Sequence, residues 1–73
     1  MNGKRHFRES IEMDRWMEED CRRAEEELTA NAEAGARMRG SRFVRSSAEF
    51  EYVRKGDGME VWMEWTEIFG GET

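Results

Sequence analysis

Apolar and polar residues alternate along the C-terminal part of this chain, from residue 48 to residue 69, around a turn signal at residues 56–58. A repeat of two indicates a β-strand with one buried face, and Asp-Gly between two such runs is typical of a hairpin. The sequence therefore predicts an antiparallel β-hairpin with an apolar inner face and an acidic outer face. The outer face carries Glu49, Glu51, Val53, Glu60, Trp62 and Glu64.

A two-residue loop of Asp57 and Gly58, with Gly58 at positive φ, sets the predicted register. The expected strands are residues 42–54, with Ser46 and Ser47 as candidates for a bulge, and residues 59–69, where Glu67 falls at an inward position. The register predicts these pairs: Phe50 with Trp65 and Tyr52 with Met63 on the inner face, and Val53 with Trp62, Lys55 with Glu60 and Glu51 with Glu64 on the outer face. Val44, Ser46 and Ala48 continue the inner face.

The N-terminal half has a helical pattern. Met13, Met17, Cys21, Ala24 and Leu28 recur at spacings of three or four residues, which indicates one apolar stripe with Trp16 at its border. Ser10 is the expected N-cap and Gly40 the expected stop, so residues 10–39 are predicted to be helical after a flexible tail of residues 1–8. The pattern does not decide whether the helix is interrupted near Asn31 or Gly35.

These elements predict an α+β fold in a single small domain of residues 1–73, with a long N-terminal amphipathic helix packed on a C-terminal antiparallel β-hairpin or small sheet. A two-stranded sheet is only marginally stable and leaves two open edges. Either the segment around Phe43 folds back as a third strand, or two chains join their hairpins. The chain contains no proline to block an edge, which favours the dimer.

Composition narrows the class of protein. The hydrophobic fraction of 37% is low and the charged fraction of 40% is high, but three Trp, four Phe and six Met argue against disorder throughout. The single Cys21 excludes an internal disulfide and favours a reducing compartment. No apolar stretch approaches the roughly 20 residues of a membrane span. A soluble, cytoplasmic protein with a thin core is expected.

The sequence offers little for catalysis or for binding a cofactor or metal. His6 is the only imidazole, and it has no ligand-spaced partner for a metal and no orienting base for a nucleophile. The glycines at 56 and 58 belong to a turn, and Gly70-Gly71 to a tail, rather than to a phosphate loop that opens a helix. We therefore expect no enzyme, no cofactor and no metal site.

The charge is unevenly distributed. Residues 46–73 hold seven acidic residues against two basic ones, which accounts for the whole net charge of −5. Four arginines form a basic cluster before them, namely Arg37, Arg39, Arg42 and Arg45. These arginines could hold a nucleic-acid backbone with Phe43 stacking on a base. The overall negative charge opposes that role, and pairing with acidic residues of the same chain is the alternative.

The outer face around Trp62 is the best candidate site, because tryptophan is enriched at binding hot spots and carboxylates steer basic partners. The predicted function is a non-enzymatic acidic protein-binding module, an inhibitor that occupies a basic, nucleic-acid-binding surface of a partner. Phage anti-restriction and anti-CRISPR proteins share this general profile, by analogy of class without a common motif. The alternatives are a small structural or regulatory homodimer with Trp62 in its interface, and a weak nucleic-acid binder acting through the arginine cluster.

Overall fold

The computed structural model describes residues 3–15 and 17–70, so the predictions for Trp16 and Gly71 lie outside the described residues. In chain order the elements are strand β1 (Gly3–Met13), helix α1 (Glu18–Arg39), strand β2 (Arg42–Lys55) and strand β3 (Gly58–Phe69). The strands form one antiparallel sheet in the order β1-β3-β2. The helix packs on one side of this sheet, which is the inner face.

The predicted N-terminal helix is wrong, because a strand comes first. Residues expected to be a flexible tail (1–8) and the first turns of a helix (from 10) form β1, apart from the two that lie outside the described residues. Phe7, Ile11 and Met13 do follow a repeat of two. Arg5 and Glu9 occupy the other inner-face positions and hide that alternation. Pairing with β3 along the whole length of β1 supplies hydrogen bonds that local sequence does not reveal.

The helix begins at Glu18, eight residues later than the predicted start at residue 10. Its N-cap is Met17, whose side chain makes no capping hydrogen bond, while the predicted cap Ser10 lies in β1 opposite Trp62. The helix continues unbroken through Asn31 and Gly35 to Arg39. The stop at Gly40 is confirmed, with φ of 73°.

The core forms where small residues of α1 meet β3. The buried helix residues are Cys21, Ala24, Leu28, Ala32 and Ala36, and the buried apolar residues of β3 are Met59, Val61, Met63 and Trp65. Alanine at three of these five helix positions lets the helix axis lie close to the sheet. The predicted burial of Cys21, Ala24 and Leu28 is confirmed, but Met17 is 48% exposed and Met13 belongs to β1.

The hairpin is present as β2 and β3, but the predicted loop is wrong by one residue and the predicted register by two. Lys55 pairs with Gly58, so the two-residue loop is Gly56-Asp57, and Phe50 pairs with Met63. Gly56 has the positive φ, 60°, and Gly58 does not. A glycine at positive φ in the first loop position is typical of a type II′ turn. Because the register shift is an even number of residues, the side chains from residue 48 to the loop, and those of β3, keep their predicted faces.

A bulge interrupts β2 between Val44 and Glu49, which confirms the irregularity predicted at residues 46 and 47. Ser47 stabilises it, since its Oγ accepts the Thr66 N–H at 2.8 Å and donates to the Val44 carbonyl at 2.6 Å. The bulge reverses which residues face inward before it. Phe43 therefore packs in the core beside Trp65, and the inward placement predicted for Val44 and Ser46 is wrong.

The third strand of the sheet is β1, and the suggestion that the segment around Phe43 folds back to form it is wrong. Phe43 is already part of β2, where it lies opposite Glu67. No helix among the described residues combines the length and the apolar content that a membrane span needs.

Candidate functional site

The outer face of the sheet is not covered by any described element, because α1 packs on the inner face alone. Cross-strand pairing shows which residues lie on this face, since directly opposite residues share a face. The outer face consists of Lys4, His6, Arg8, Ser10 and Glu12 from β1, Glu60, Trp62, Glu64, Thr66 and Ile68 from β3, and Arg42, Val44, Glu49, Glu51, Val53 and Lys55 from β2.

The structure brings together all six residues of the predicted site. They form three consecutive cross-strand pairs between β2 and β3, namely Glu49 with Glu64, Glu51 with Trp62, and Val53 with Glu60. The like-charged pair is thus Glu49 with Glu64, and the predicted Glu51–Glu64 pair is wrong because of the register shift. The six residues make one patch in the acidic part of the outer face, which we call the Trp62 patch.

Trp62 lies on the central strand and is held from two sides. The Arg8 guanidinium lies over its ring, 4.5 Å from the centroid, and its indole Nε1 donates a hydrogen bond to Glu60 Oε1 at 3.0 Å. The ring remains partly exposed, and beside it runs a shallow depression lined also by Glu49, Glu51 and Glu64. An aromatic ring fixed in this way offers apolar contact area with little conformational entropy left to lose.

The carboxylates of the patch differ in whether they form ion pairs. Glu64 pairs with Arg8 at 3.2 Å, and Glu60 pairs with Lys55 at 3.3 Å. The Trp62 hydrogen bond, assisted by Lys55, holds the pKa of Glu60 below its usual range against the effect of desolvation. Glu49 and Glu51 are exposed and make no ion pair with any residue that the structure describes. They are the carboxylates available to a partner.

Charge changes sign along the outer face. The end that holds Lys4 and Arg42 is basic, and the end that holds Glu12 and Glu60 is acidic. Between them His6 Nδ1 lies 3.0 Å from Thr66 Oγ1. The charges therefore create an electrostatic field that runs along the strands of the outer face.

The structure does not place the four arginines of the cluster on one common surface. Arg39 binds the buried Glu67, and Arg45 binds Glu33 on α1 at 2.6 Å. Arg37 and Arg42 remain exposed, one on the helix and the other at an outer-face position of β2. Two of the four arginines are thus committed to pairs within the chain, as the alternative reading anticipated.

Glu67 is the most constrained ionisable group outside the patch. Its buried side chain is 0% exposed and accepts hydrogen bonds from Arg39 Nε at 2.9 Å, Arg39 Nη2 at 2.5 Å, Ser41 Oγ at 2.6 Å and Trp65 Nε1 at 2.8 Å. Burial raises the pKa of Glu67, but the hydrogen bonds and the Arg39 charge outweigh it and lower the pKa to about 2. The network ties the C-terminal end of α1 to β3, which explains a charge at an inner-face position.

Sequence reasoning missed the contribution of β1 to the candidate site. Arg8 covers the Trp62 ring, and Ser10 and Glu12 flank Trp62 and Glu60. A signal was present, because every even residue from Lys4 to Glu12 is polar while Phe7, Ile11 and Met13 are apolar.

The described residues contain no group of three or more His, Cys, Asp or Glu residues that could hold a metal ion.

Comparisons with known proteins add no relative. No protein-family model, no curated protein and no solved structure matches this chain.

Proposed function

We propose that this protein is a non-enzymatic binding module that docks the Trp62 patch on a basic surface of another protein. The observation that carries the proposal is a fixed, partly exposed Trp62 on the central strand, beside Glu49 and Glu51, which form no ion pair within the described part of the chain. Tryptophan supplies the buried contact area of a hot spot, and the carboxylates select arginine and lysine on the partner.

The spacing of the carboxylates supports the finer proposal that the partner surface normally holds nucleic acid. Glu49 and Glu51 lie two residues apart on one face of β2, which corresponds to about 6.8 Å along the strand. Successive phosphates of one DNA strand rise about 3.4 Å along the duplex axis. Because the strand also winds around that axis, neighbouring phosphates are separated in space by roughly twice this rise. Carboxylates at this spacing can take the place of neighbouring phosphates, so the protein would act as a competitive inhibitor.

The paired carboxylates can also be recruited at low cost. The Arg8–Glu64 pair has both side chains more than half exposed, at 53% and 56%. Exposed pairs of this kind contribute about 0–1 kcal/mol. Displacement of Arg8 from Glu64 by a partner arginine would therefore cost this protein little stability.

The experiment compares four forms of the protein as immobilised bait for an extract of the native host. The forms are the parent, Trp62→Ala, the double variant Glu49→Lys/Glu51→Lys, and a control double variant Glu26→Lys/Glu27→Lys, which makes the same charge change on exposed helix positions. We expect a basic protein that the parent and the helix control retain, that both patch variants lose, and that duplex DNA releases. Equal retention by all four forms contradicts the proposal.

With the purified partner, Trp62→Ala should weaken binding by about 2 kcal/mol or more, as hot-spot truncations do. Reversing Glu49 and Glu51 should chiefly slow association, and the effect should fade as salt rises. Release of the partner by salt but not by duplex DNA would keep the binding proposal and remove the inhibitor proposal. If Trp62→Ala instead dissociates a homodimer of this chain, the patch is its own interface and both proposals fail.

A further inference from the structure

The two edges of the sheet differ in their ability to pair with another strand. The β2 edge is interrupted by the bulge between Val44 and Glu49, and bulges are a common means of blocking edge pairing. The β1 edge is regular, since its eleven residues pair with β3 from Gly3 to Met13 without a shift. The described residues place no strand on the other side of β1. Its outward backbone groups are therefore open along its whole length.

The charges along β1 are ordered. Lys4, Arg5, His6 and Arg8 make the first half basic, while Glu9 and Glu12 make the second half acidic. Two such strands side by side in the same direction place like charges together. Two strands in opposite directions, related by a two-fold axis at the middle of the strand, place the basic half of each against the acidic half of the other.

We infer that β1 pairs edge to edge and antiparallel with β1 of a second copy of this chain, so that two three-stranded sheets join into one of six strands. The register that uses the whole strand is centred on Arg8. It puts Lys4 opposite Glu12 of the second copy and Arg5 diagonally next to Glu9, twice each by symmetry. About ten backbone hydrogen bonds form along the seam.

Two further observations support this seam. Arg8, which meets its own copy at the axis, is turned toward β3, where it covers Trp62 and pairs with Glu64. Its charge is thus drawn away from the seam. Phe7 and Ile11 face the core but stay only partly buried at the open edge, and a second copy adds cover for both. The Trp62 patch remains uncovered, so the dimer presents two patches on one continuous outer face.

The first test is a charge exchange followed by sedimentation equilibrium, with the full chain throughout. The parent should have a mass about twice 8.7 kDa at micromolar concentration. Lys4→Glu and Glu12→Lys should each raise the dissociation constant about tenfold or more, and the combined variant Lys4→Glu/Glu12→Lys should restore it. Arg22→Glu, a charge reversal at an exposed helix position, is the control and should change nothing.

The second test is cross-linking, which reports strand direction. A mixture of Lys4→Cys and Glu12→Cys chains should form a mixed disulfide, because directly opposite residues of antiparallel strands meet the Cα distance that a disulfide needs. Lys4→Cys alone should not cross-link, since the two copies of residue 4 lie about 26 Å apart.

A single-chain mass at millimolar concentration would overturn the inference. A dimer that Trp62→Ala dissociates, and that the charge exchange leaves unaffected, would also overturn it by moving the interface to the outer face.

Discussion

The two faces of β3 place the same residue types in opposite environments. Trp65 on the inner face is 3% exposed and lies between Phe7 and Phe43, whereas Trp62 on the outer face is partly open beneath Arg8. Glu67 on the inner face has four hydrogen bonds to its carboxylate, while Glu64 on the outer face has one exposed ion pair. Positions a few residues apart on one strand therefore either belong to the buried core or stay exposed on the outer face.

The difference follows from the cost of burying polar groups. A carboxylate removed from water must be neutralised by a surrounding network, and once satisfied it becomes part of the fold. A carboxylate in water needs no partner and can exchange one ion pair for another. Stability should accordingly depend on the inner face and partner binding on the outer face, and the variants below test that division.

The largest expected effect is that of Trp65→Ala. Loss of a buried aromatic side chain costs about 3–5 kcal/mol, which equals the total stability that a core of this size supplies. Circular dichroism should show this variant largely unfolded at 25 °C. Trp62→Ala should cost only about 1 kcal/mol, the contribution of an exposed cation–π contact. Equal losses would mean that Trp62 is part of a core or of a dimer interface.

Glu67→Gln should have the second-largest effect and lower the free energy of unfolding by about 3 kcal/mol at neutral pH. This value is at the low end for breaking a buried ion pair, because Arg39 is partly exposed. The pKa of Glu67 is lower in the folded chain, about 2, than the ordinary value of 4.5. Its stabilisation is therefore complete above pH 4.5 and is lost as the pH falls toward 2. Urea denaturation should show the parent and the variant converging over this range. A constant difference between them would contradict the assigned pKa.

Gly58 lies at an outer-face position of β3, but it is buried, so its substitution should reduce stability as an inner-face substitution does. A Cβ there would lie 2.2 Å from the Met13 carbonyl oxygen of β1. Gly58→Ala should therefore force β1 away from β3 and cost about 1–3 kcal/mol, as overpacking does. Gly3→Ala is the matched control in β1, because a Cβ at Gly3 has no atom within 4 Å. Equal melting temperatures for the two variants would place β1 in a different register.

The smallest effect should be an increase in stability. Glu49 lies directly opposite Glu64, and like charges in that position repel. Glu49→Lys replaces repulsion with attraction and should stabilise the sheet by about 0.2–1 kcal/mol, an effect that salt reduces. The same substitution should weaken partner binding. A variant that is less stable than the parent in low salt would show that Glu49 has a structural role.

The features of the fold that could be predicted from the sequence are those set by residues close to one another along the chain. The hairpin strands, the outward side of Trp62 and its five neighbours, and the helix stop at Gly40 all follow from periods and turn residues within a few positions. The loop was placed one residue too far along, because both Gly56 and Gly58 offer a glycine to a tight turn. In the folded chain Gly56 supplies the positive φ of the turn, whereas Gly58 leaves room for the Met13 carbonyl of β1, which a Cβ would meet at 2.2 Å.

The N-terminal strand and its consequences required the folded chain. Residues 3–13 carry charges at two inner-face positions, Arg5 and Glu9, so their pattern alone does not identify a strand. Pairing with β3, some fifty residues away along the chain, forms β1, places Arg8 over Trp62 and completes the candidate site. The partner of Glu67 was likewise hidden, because Arg39 reaches it only after α1 has packed on the sheet. Side-chain alternation is a local property of the backbone, whereas the choice of neighbour depends on loop closure and burial over the whole chain.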